Sequence, residues 1–140
     1  MKLEELEQRL RVLEDLEEIK QLKARYAALC DNGYDCDGIA ALFTPDGVWD
    51  GGDLGRAEGR GAIRDFFVKA PKAFPFAIHH VMNPIIEVSG DTARGRWYLF
   101  SRSRWPKATR RRGSPAAMRK STCARPRDGV FGGSGLRPPS

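Results

Sequence analysis

Apolar side chains recur at steps of three and four along the first thirty residues. These positions are Leu3, Leu6, Leu10, Leu13, Leu16, Ile19, Leu22, Tyr26 and Leu29. The spacing predicts one long amphipathic helix, which ends near residues 31–33 because Gly33 suits the left-handed turn that closes many helices. The first half of the helix is charged everywhere except along its leucine stripe, so it is also compatible with a short coiled coil formed with another chain.

Two shorter helices follow in the predicted order of elements. The first spans about residues 36–43, with Asp35 or Asp37 as its N-cap. The second begins at Ala62 and ends before Pro71, since proline lacks a backbone N–H.

The segment between these two helices has the pattern of a turn, a strand and a loop. Residues 44–47 have turn chemistry, and Val48 and Trp49 start the strand. The glycine cluster at 51–55 lacks the Gly-Lys-Ser/Thr ending of a phosphate-binding loop, and residues 59–61 do not begin a complete dinucleotide-binding motif. We therefore expect no nucleotide site.

The last apolar segments predict a β-hairpin. Residues 77–88 are rich in Val, Ile and Met, a turn follows at 89–91, and residues 92–100 continue in alternation. Helices come early in the chain and meandering strands come late. This order predicts an α+β fold in which the helices pack on one face of an antiparallel sheet.

The net charge of +6 is unevenly distributed. Residues 1–100 carry 13 basic and 17 acidic side chains, whereas residues 101–140 carry 11 and one. That second part is also rich in Pro, Gly and Ser, and such a composition cannot bury enough apolar surface to fold alone. We predict an N-terminal helical extension at 1–14, a compact domain at 15–102 and a tail at 103–140 that is disordered or out of frame.

Two explanations of this tail stay open. A reading-frame slip is one, because codons compatible with residues 123–133 encode an alternating strand pattern when they are read one base over. The other is a functional tail, in which the arginines at 110–112 bind nucleic acid or another acidic surface non-specifically. We favour the slip, since Trp105 is the only aromatic side chain near these arginines that could stack on bases. Apart from this case, nucleic acid is not an expected partner.

The cysteines and the N-terminal sequence indicate the cellular compartment of the protein. The three cysteines, Cys30, Cys36 and Cys123, form no Cys-x-x-Cys pair, which argues against a disulfide framework and a structural zinc site. The chain has no apolar run of about 18 residues and no signal or transit segment. We expect a cytoplasmic protein with no membrane span, no metal site and no cofactor.

Several motifs resemble the SnoaL-like proteins of the nuclear transport factor 2-like superfamily. They are Arg25-Tyr26, Leu29-Cys30-Asp31, Ile39-Ala40-Ala41-Leu42-Phe43, segments 44–49, 59–64 and 90–93, and His79 followed by Asn83. The resemblance covers residues 15–100 and implies a cone: helices enclose one deep, mostly apolar pocket against a strongly curved antiparallel or mixed sheet. Family members add two strands after the segment around Trp97, so the sheet is expected to be incomplete here.

The resemblance also implies a chemistry. Family enzymes that eliminate water or hydrogen chloride, such as scytalone dehydratase, bile-acid 7α-dehydratase and dehydrochlorinase, use an Asp–His pair, and Asp31 and His79 fall at those positions. A carboxylate that is bonded to one imidazole nitrogen fixes the tautomer and stabilises the imidazolium that forms when the other nitrogen takes a proton. His79 is then the base, Asp31 its orienting partner and Tyr26 a donor to substrate oxygen.

Each of these candidate site residues also has a structural explanation. Asp31 is equally suited to a polar helix end, and Tyr26 to a core position with a satisfied hydroxyl. Only one of His79 and His80 is expected to enter the pocket, because adjacent strand residues point to opposite faces. The remaining candidates for substrate contact, of which the tryptophans are also typical core residues, are Trp49, Phe76, Trp97 and Asn83.

These observations predict a cofactor-independent lyase or isomerase, of dehydratase type, that acts on a small hydrophobic cyclic substrate. The alternative is a non-catalytic small-molecule-binding or subunit-interaction module of the same superfamily. The enzyme requires Asp31 and His79 to lie within hydrogen-bond reach inside a pocket, whereas the binding module does not. The resemblance further implies a homodimer or a homotrimer.

Overall fold

A computed structural model of the protein describes residues 2–104. Its elements, in chain order, are α1 (Leu3–Asp31), α2 (Cys36–Ala41), β1 (Val48–Asp50), a 3₁₀ turn (Gly52–Leu54), β2 (Arg56–Glu58), α3 (Arg60–Ala73), β3 (Phe76–Ser89) and β4 (Thr92–Arg104). The predicted combination of early helices with a late antiparallel hairpin is confirmed. The proposed tail at 103–140, and with it both explanations of that tail, lies outside the described residues except for positions 103 and 104.

The strands form two antiparallel hairpins in the part of the chain that is described. β1 pairs with β2, and β3 pairs with β4 from Ser89↔Thr92 outward. The register of the long hairpin shifts between Met82 and Ile85, where Asn83 has a positive φ of 52°. Such an irregularity bends a strand, and here it bends β3 just beyond the positions of the two histidines.

The second half of α1 supplies much of the core. Ile19, Leu22 and Cys30 are buried against residues of α2, α3 and β4, including Phe67 and Trp97. The first half of α1 is different, because its four leucines, at positions 3, 6, 10 and 13, are between 49% and 72% exposed. The predicted helix is therefore confirmed as a helix, but its apolar stripe is not one continuous core-facing surface.

Three helix boundaries show how local chemistry sets the ends. The Asp35 carboxylate accepts a hydrogen bond from the Gly38 N–H at 3.0 Å, so Asp35 is the N-cap of α2. α2 ends at Ala41, two residues earlier than predicted. The predicted end of the third helix before Pro71 is wrong, since α3 continues to Ala73. Proline so close to a helix end removes a single donor, and the next available bond, from Phe74 N–H to the Ala70 carbonyl, closes the helix at 2.8 Å.

The sequence pattern does not predict β2, which directly follows the glycine cluster at 51–55. Its three residues contain one buried side chain, Ala57, between the charged Arg56 and Glu58. The guanidinium of Arg56 binds both the Glu58 carboxylate and that of Asp50 on β1, at 2.7 and 3.3 Å, and so joins the two strands of the short hairpin. Within residues 2–104, no helix is long and apolar enough to cross a membrane.

Candidate active site

Asp31 and His79 meet where the end of α1 reaches β3. His79 Nδ1 lies 2.7 Å from Asp31 Oδ1, and the His79 backbone N–H donates to the same oxygen at 2.9 Å. Two contacts to one carboxylate oxygen fix both the position of the strand and the orientation of the ring. Because an ionised carboxylate can only accept, the proton of the neutral imidazole is on Nδ1 and Nε2 is left as the proton acceptor.

The turn after α1 places a tyrosine beside this pair. Gly33 and Tyr34 both have left-handed backbones, with φ of 65° and 56°, and this conformation is unusual for a bulky side chain. The resulting tight turn brings the Tyr34 ring edge-on to His79, with 6.1 Å between the ring centroids and 85° between the planes. Burial, and then the neighbouring Cys30, raises the pKa of the Tyr34 hydroxyl to about 12, so that the hydroxyl stays protonated near neutral pH.

A groove of about 530 Å³ runs between α1 and β3, and the Asp31–His79 pair forms part of its wall. Other lining residues are Lys23, Ala27, His80, Met82 and Trp97. The side chains of His79 and Asp31 are 14% and 31% exposed, so the pair is partly covered and still reachable from the groove. The size and largely apolar lining are typical of a small-molecule site.

Lys23 is a buried, charged lining residue that the sequence reasoning missed. It is only 7% exposed, and its ammonium lies 5.1 Å from the centre of the Tyr26 ring and 5.6 Å from that of Trp97. Aromatic faces stabilise a cation at such distances. Lys23 precedes Asp31 by eight residues, a little over two helical turns, so its helical phase relative to Asp31 was a signal that could have identified it.

Tyr26 and Trp49 lie in an aromatic cluster and do not line the groove. The Trp49 indole N–H donates to the Tyr26 hydroxyl at 2.8 Å. The Trp49 ring packs on Phe66 and Phe67, with centroid distances of 4.3 and 5.2 Å. Burial, and then the neighbouring Cys30, raises the pKa of Tyr26. In this arrangement the Tyr26 hydroxyl is engaged in the core, and the structure does not bring it to His79.

The remaining sequence candidates are spread along the hairpin. Trp97 is 3% exposed and lines the groove, whereas Phe76 is 50% exposed and outside its lining. Asn83 is exposed at the register shift and is also outside the lining. His80 lines the groove together with His79, although its ring lies 6.0 Å from that of Phe100. Because the groove follows consecutive residues of β3, both histidines contribute to its lining, and the expectation that one ring alone enters the pocket stays a prediction.

Each of the two described tryptophans lies over a glycine that is two residues away. A Cβ atom added at Gly51 would collide with the Trp49 ring, and one added at Gly95 would collide with the Trp97 ring. Residues two apart on a strand share a face. A glycine at position 95 therefore lets the Trp97 ring lie flat against the sheet at the wall of the groove.

The sequence model of the SnoaL-like domain matches residues 11–126 of this chain. The protein belongs to the SnoaL-like family. The match begins within the predicted extension at 1–14 and continues past residue 102, so the proposed domain boundaries stay predictions. No curated protein matches this SnoaL-like chain.

Solved structures agree with this family and with the predicted α+β cone. An NTF2-like protein with a cystatin-like fold from Novosphingobium aromaticivorans is 31% identical, with 92% of each chain covered and a TM-score of 0.64. A protein of that organism provisionally assigned as an aromatic ring hydroxylase is 30% identical, with 65% of this chain and 66% of that chain covered and a TM-score of 0.61. The chain thus spans just under two thirds of that protein.

A third structure, from the same organism, is provisionally assigned as a scytalone dehydratase. It is 21% identical, covers 86% of this chain and 79% of its own, and has a TM-score of 0.64. At this identity the likeness shows the fold alone.

Proposed function

We propose that this SnoaL-like protein is a cofactor-independent lyase or isomerase of dehydratase type. The observation that carries the proposal is the 2.7 Å contact between His79 Nδ1 and Asp31 Oδ1 in the wall of the groove. A base that is oriented by a second group, and that faces a space large enough for a substrate, is the arrangement that proton abstraction requires.

In the proposed reaction, His79 Nε2 takes a proton from a substrate carbon next to the leaving group or next to a carbonyl. The electron pair of the broken C–H bond forms the new double bond, and the leaving group departs with the pair of its own bond. Asp31 stabilises the imidazolium that results. In an isomerisation, the same imidazolium returns the proton to another carbon of the substrate.

The groove lining supports a small, hydrophobic, cyclic substrate. Ala27, Met82 and Trp97 offer apolar surface, and Lys23 offers a buried cation on the same wall. A buried cation stabilises a negative charge that develops on oxygen. We therefore assign contact with the substrate oxygen to Lys23. The family resemblance implies this role for Tyr26, but the Tyr26 hydroxyl accepts the Trp49 N–H and Tyr26 is outside the groove lining.

The provisional scytalone dehydratase in the same fold group supports this class of chemistry, since dehydration proceeds by loss of a proton and a hydroxyl group. The support is limited to the shared fold. The substrate itself is to be found by experiment.

The experiment is a screen of hydroxylated and halogenated ring compounds, with the product measured by mass spectrometry. For any compound that turns over, we expect Asp31→Asn and His79→Gln each to lower kcat/KM by about 10²- to 10⁴-fold. The matched control is His80→Gln, which removes the neighbouring histidine of the same strand and should retain activity within a few-fold. Equal turnover by the His79→Gln variant would exclude His79 as the base.

The partial exposure of the Asp31 side chain, 31%, favours a second candidate, a non-catalytic binding module. A water-accessible carboxylate is less preorganised for proton transfer than a buried one. For this candidate we expect ring compounds to bind in calorimetry without chemical change, and His79→Gln to alter their Kd less than Trp97→Ala does.

A further inference from the structure

The first three turns of α1 project an apolar stripe away from the domain. From Leu3 to Glu14, Val12 is half-buried and every other residue is exposed. The stripe consists of Leu3, Leu6, Leu10 and Leu13. A helical segment of about 12 residues has marginal stability in water when nothing packs on it. Burial against a partner would therefore explain why leucines recur on this face.

The stripe does not belong to the surface that α1 uses for its own core. Successive helical residues are separated by about 100° around the axis. The buried residues of α1 are Asp15, Ile19, Leu22, Lys23, Ala27 and Cys30. The mean direction of the four exposed leucines is roughly 150° around the helix from the mean direction of these residues. One helix thus presents two apolar faces, and among residues 2–104 the domain covers only the face that holds the buried residues.

The spacing of the stripe defines a heptad register. Steps of three, four and three place Leu3 and Leu10 at a positions and Leu6 and Leu13 at d positions, the pattern of a coiled-coil seam. The pattern ends there, since the next a position is Glu17. The seam is therefore two heptads long and stops where the helix enters its own domain.

The flanking charges select the partner and its direction. In this register Lys2 and Arg9 occupy g positions, and Glu7 and Glu14 occupy e positions. When two copies lie parallel, each g residue faces the e residue five positions further along the other chain, which pairs Lys2 with Glu7 and Arg9 with Glu14. An antiparallel pair would bring cations to cations and carboxylates to carboxylates.

We propose that residues 2–16 form a parallel two-stranded coiled coil with the same segment of a second copy of this chain. The inference is independent of the proposed function. The dimer would join two SnoaL-like domains through the N-terminal segments of their first helices and leave both grooves on β3 uncovered by the seam.

Sedimentation of the full chain over a wide range of concentration tests the association. We expect the mass to rise from one chain to two as the concentration increases. The variant Leu6→Glu/Leu10→Glu should stay monomeric throughout, with its unfolding temperature when monomeric within a few degrees of that of the unmodified monomer, since neither side chain is in the core. The matched control is Leu54→Glu, which charges an exposed leucine outside α1 and should leave the dimer intact.

Cross-linking tests the direction. In a chain that carries Cys36→Ser and Cys123→Ser, the added substitution Leu3→Cys should give a disulfide-linked dimer on mild oxidation, because equal a positions face each other only in the parallel arrangement. Charge reversal gives a second readout. Glu7→Lys/Glu14→Lys should lose the dimer, and mixing it with a Lys2→Glu/Arg9→Glu chain should restore pairing between the two variants alone.

Three results would overturn the proposal. They are a monomer at every concentration, a dimer that Leu6→Glu/Leu10→Glu does not weaken, and a mass of three chains. A leucine-dependent dimer that fails to cross-link through Leu3→Cys would overturn the parallel arrangement.

Discussion

Two side-chain hydrogen bonds that join α1 to a strand, Trp49–Tyr26 and His79–Asp31, lie in opposite surroundings. The bond from Trp49 to Tyr26 is enclosed by aromatic rings, and burial raises the pKa of its acceptor. The bond between His79 and Asp31 lies at the wall of an open groove, and both side chains are partly exposed. The first arrangement is suited to rigidity and the second to proton exchange, although both join α1 to a strand.

The aromatic cluster should give the largest effect on stability. Phe67 is 2% exposed. Its ring contacts those of Tyr26, Tyr34, Trp49 and Phe66. Phe67→Ala is expected to lower the free energy of unfolding by about 3–5 kcal/mol, because it leaves a cavity among rings that cannot collapse. Urea denaturation measures the change, with the exposed neighbour Val68→Ala as the control, expected within about 0.5 kcal/mol. A similar loss for both variants would show that the cluster is not the rigid region.

The same cluster should make the fold sensitive to alkali. Burial raises the pKa of the Cys30 thiol from about 9 to about 12. The unfolded chain therefore loses this proton at lower pH than the folded one, so this thiol alone contributes a loss of stability of about 1.4 kcal/mol per pH unit between pH 9 and 12. Unfolding in urea at several pH values measures the slope. Cys30→Ala should delay the decline to above pH 10, where the unfolded tyrosines ionise. If the Cys30→Ala variant lost stability with the same slope from pH 9 as the unmodified chain, the Cys30 thiol would ionise in the folded state as readily as in the unfolded one.

The next effect separates a structural tyrosine from a catalytic one. Tyr26→Phe removes the acceptor of the Trp49 indole N–H and should cost about 1–3 kcal/mol, because a partly buried donor then lacks a partner. Trp49→Phe and the double variant complete a thermodynamic cycle, in which we expect a coupling of about 0.5–1.5 kcal/mol. If Tyr26→Phe instead preserved stability and abolished turnover, the contrast between the two hydrogen bonds would fail.

The smallest effect on stability is expected at the catalytic pair. Asp31→Asn should change the free energy of unfolding by less than about 1 kcal/mol, because this pair is partly exposed to water. The same variant is expected to lose turnover. Parallel denaturation and activity measurements on Asp31→Asn and His80→Gln separate the two quantities. A stability loss as large as that of Tyr26→Phe would make Asp31 a structural residue.

The sequence predicts the elements in which the hydrophobic pattern repeats many times. The helix over residues 3–31 and the hairpin at 76–104 repeat their patterns many times. β2 repeats its pattern once, around Ala57, and is too short to recognise. Periodicity also identifies an apolar face without stating what covers it, so for the first half of α1 the pattern alone leaves a coiled coil with another chain as an open alternative. The extension of α3 past Pro71 depends on how close the proline lies to the end of that helix.

For the site, the residues alone did not place Asp31 beside His79, since 48 positions separate them. The family resemblance suggested the pair, and the structure has the two side chains 2.7 Å apart; their catalytic roles stay a prediction. The helical phase of Lys23 relative to Asp31 points to the same part of α1, but its burial could not be read from the sequence, because a lysine on a helix is usually solvated. Its position depends on the rings of Tyr26 and Trp97, which come from different parts of the chain.

Substitutions at Gly95 would be a simple way to change which ligands the groove prefers. The Trp97 ring lies in space that any larger residue at position 95 would occupy. Gly95→Ala should therefore tilt the ring toward the groove and narrow it, and Trp97→Phe should widen it, while Asp31 and His79 stay in place. Paralogues that diverge at these two positions would accept rings of different size with the same proton-transfer pair. Ligand range and chemistry could then evolve separately in this domain.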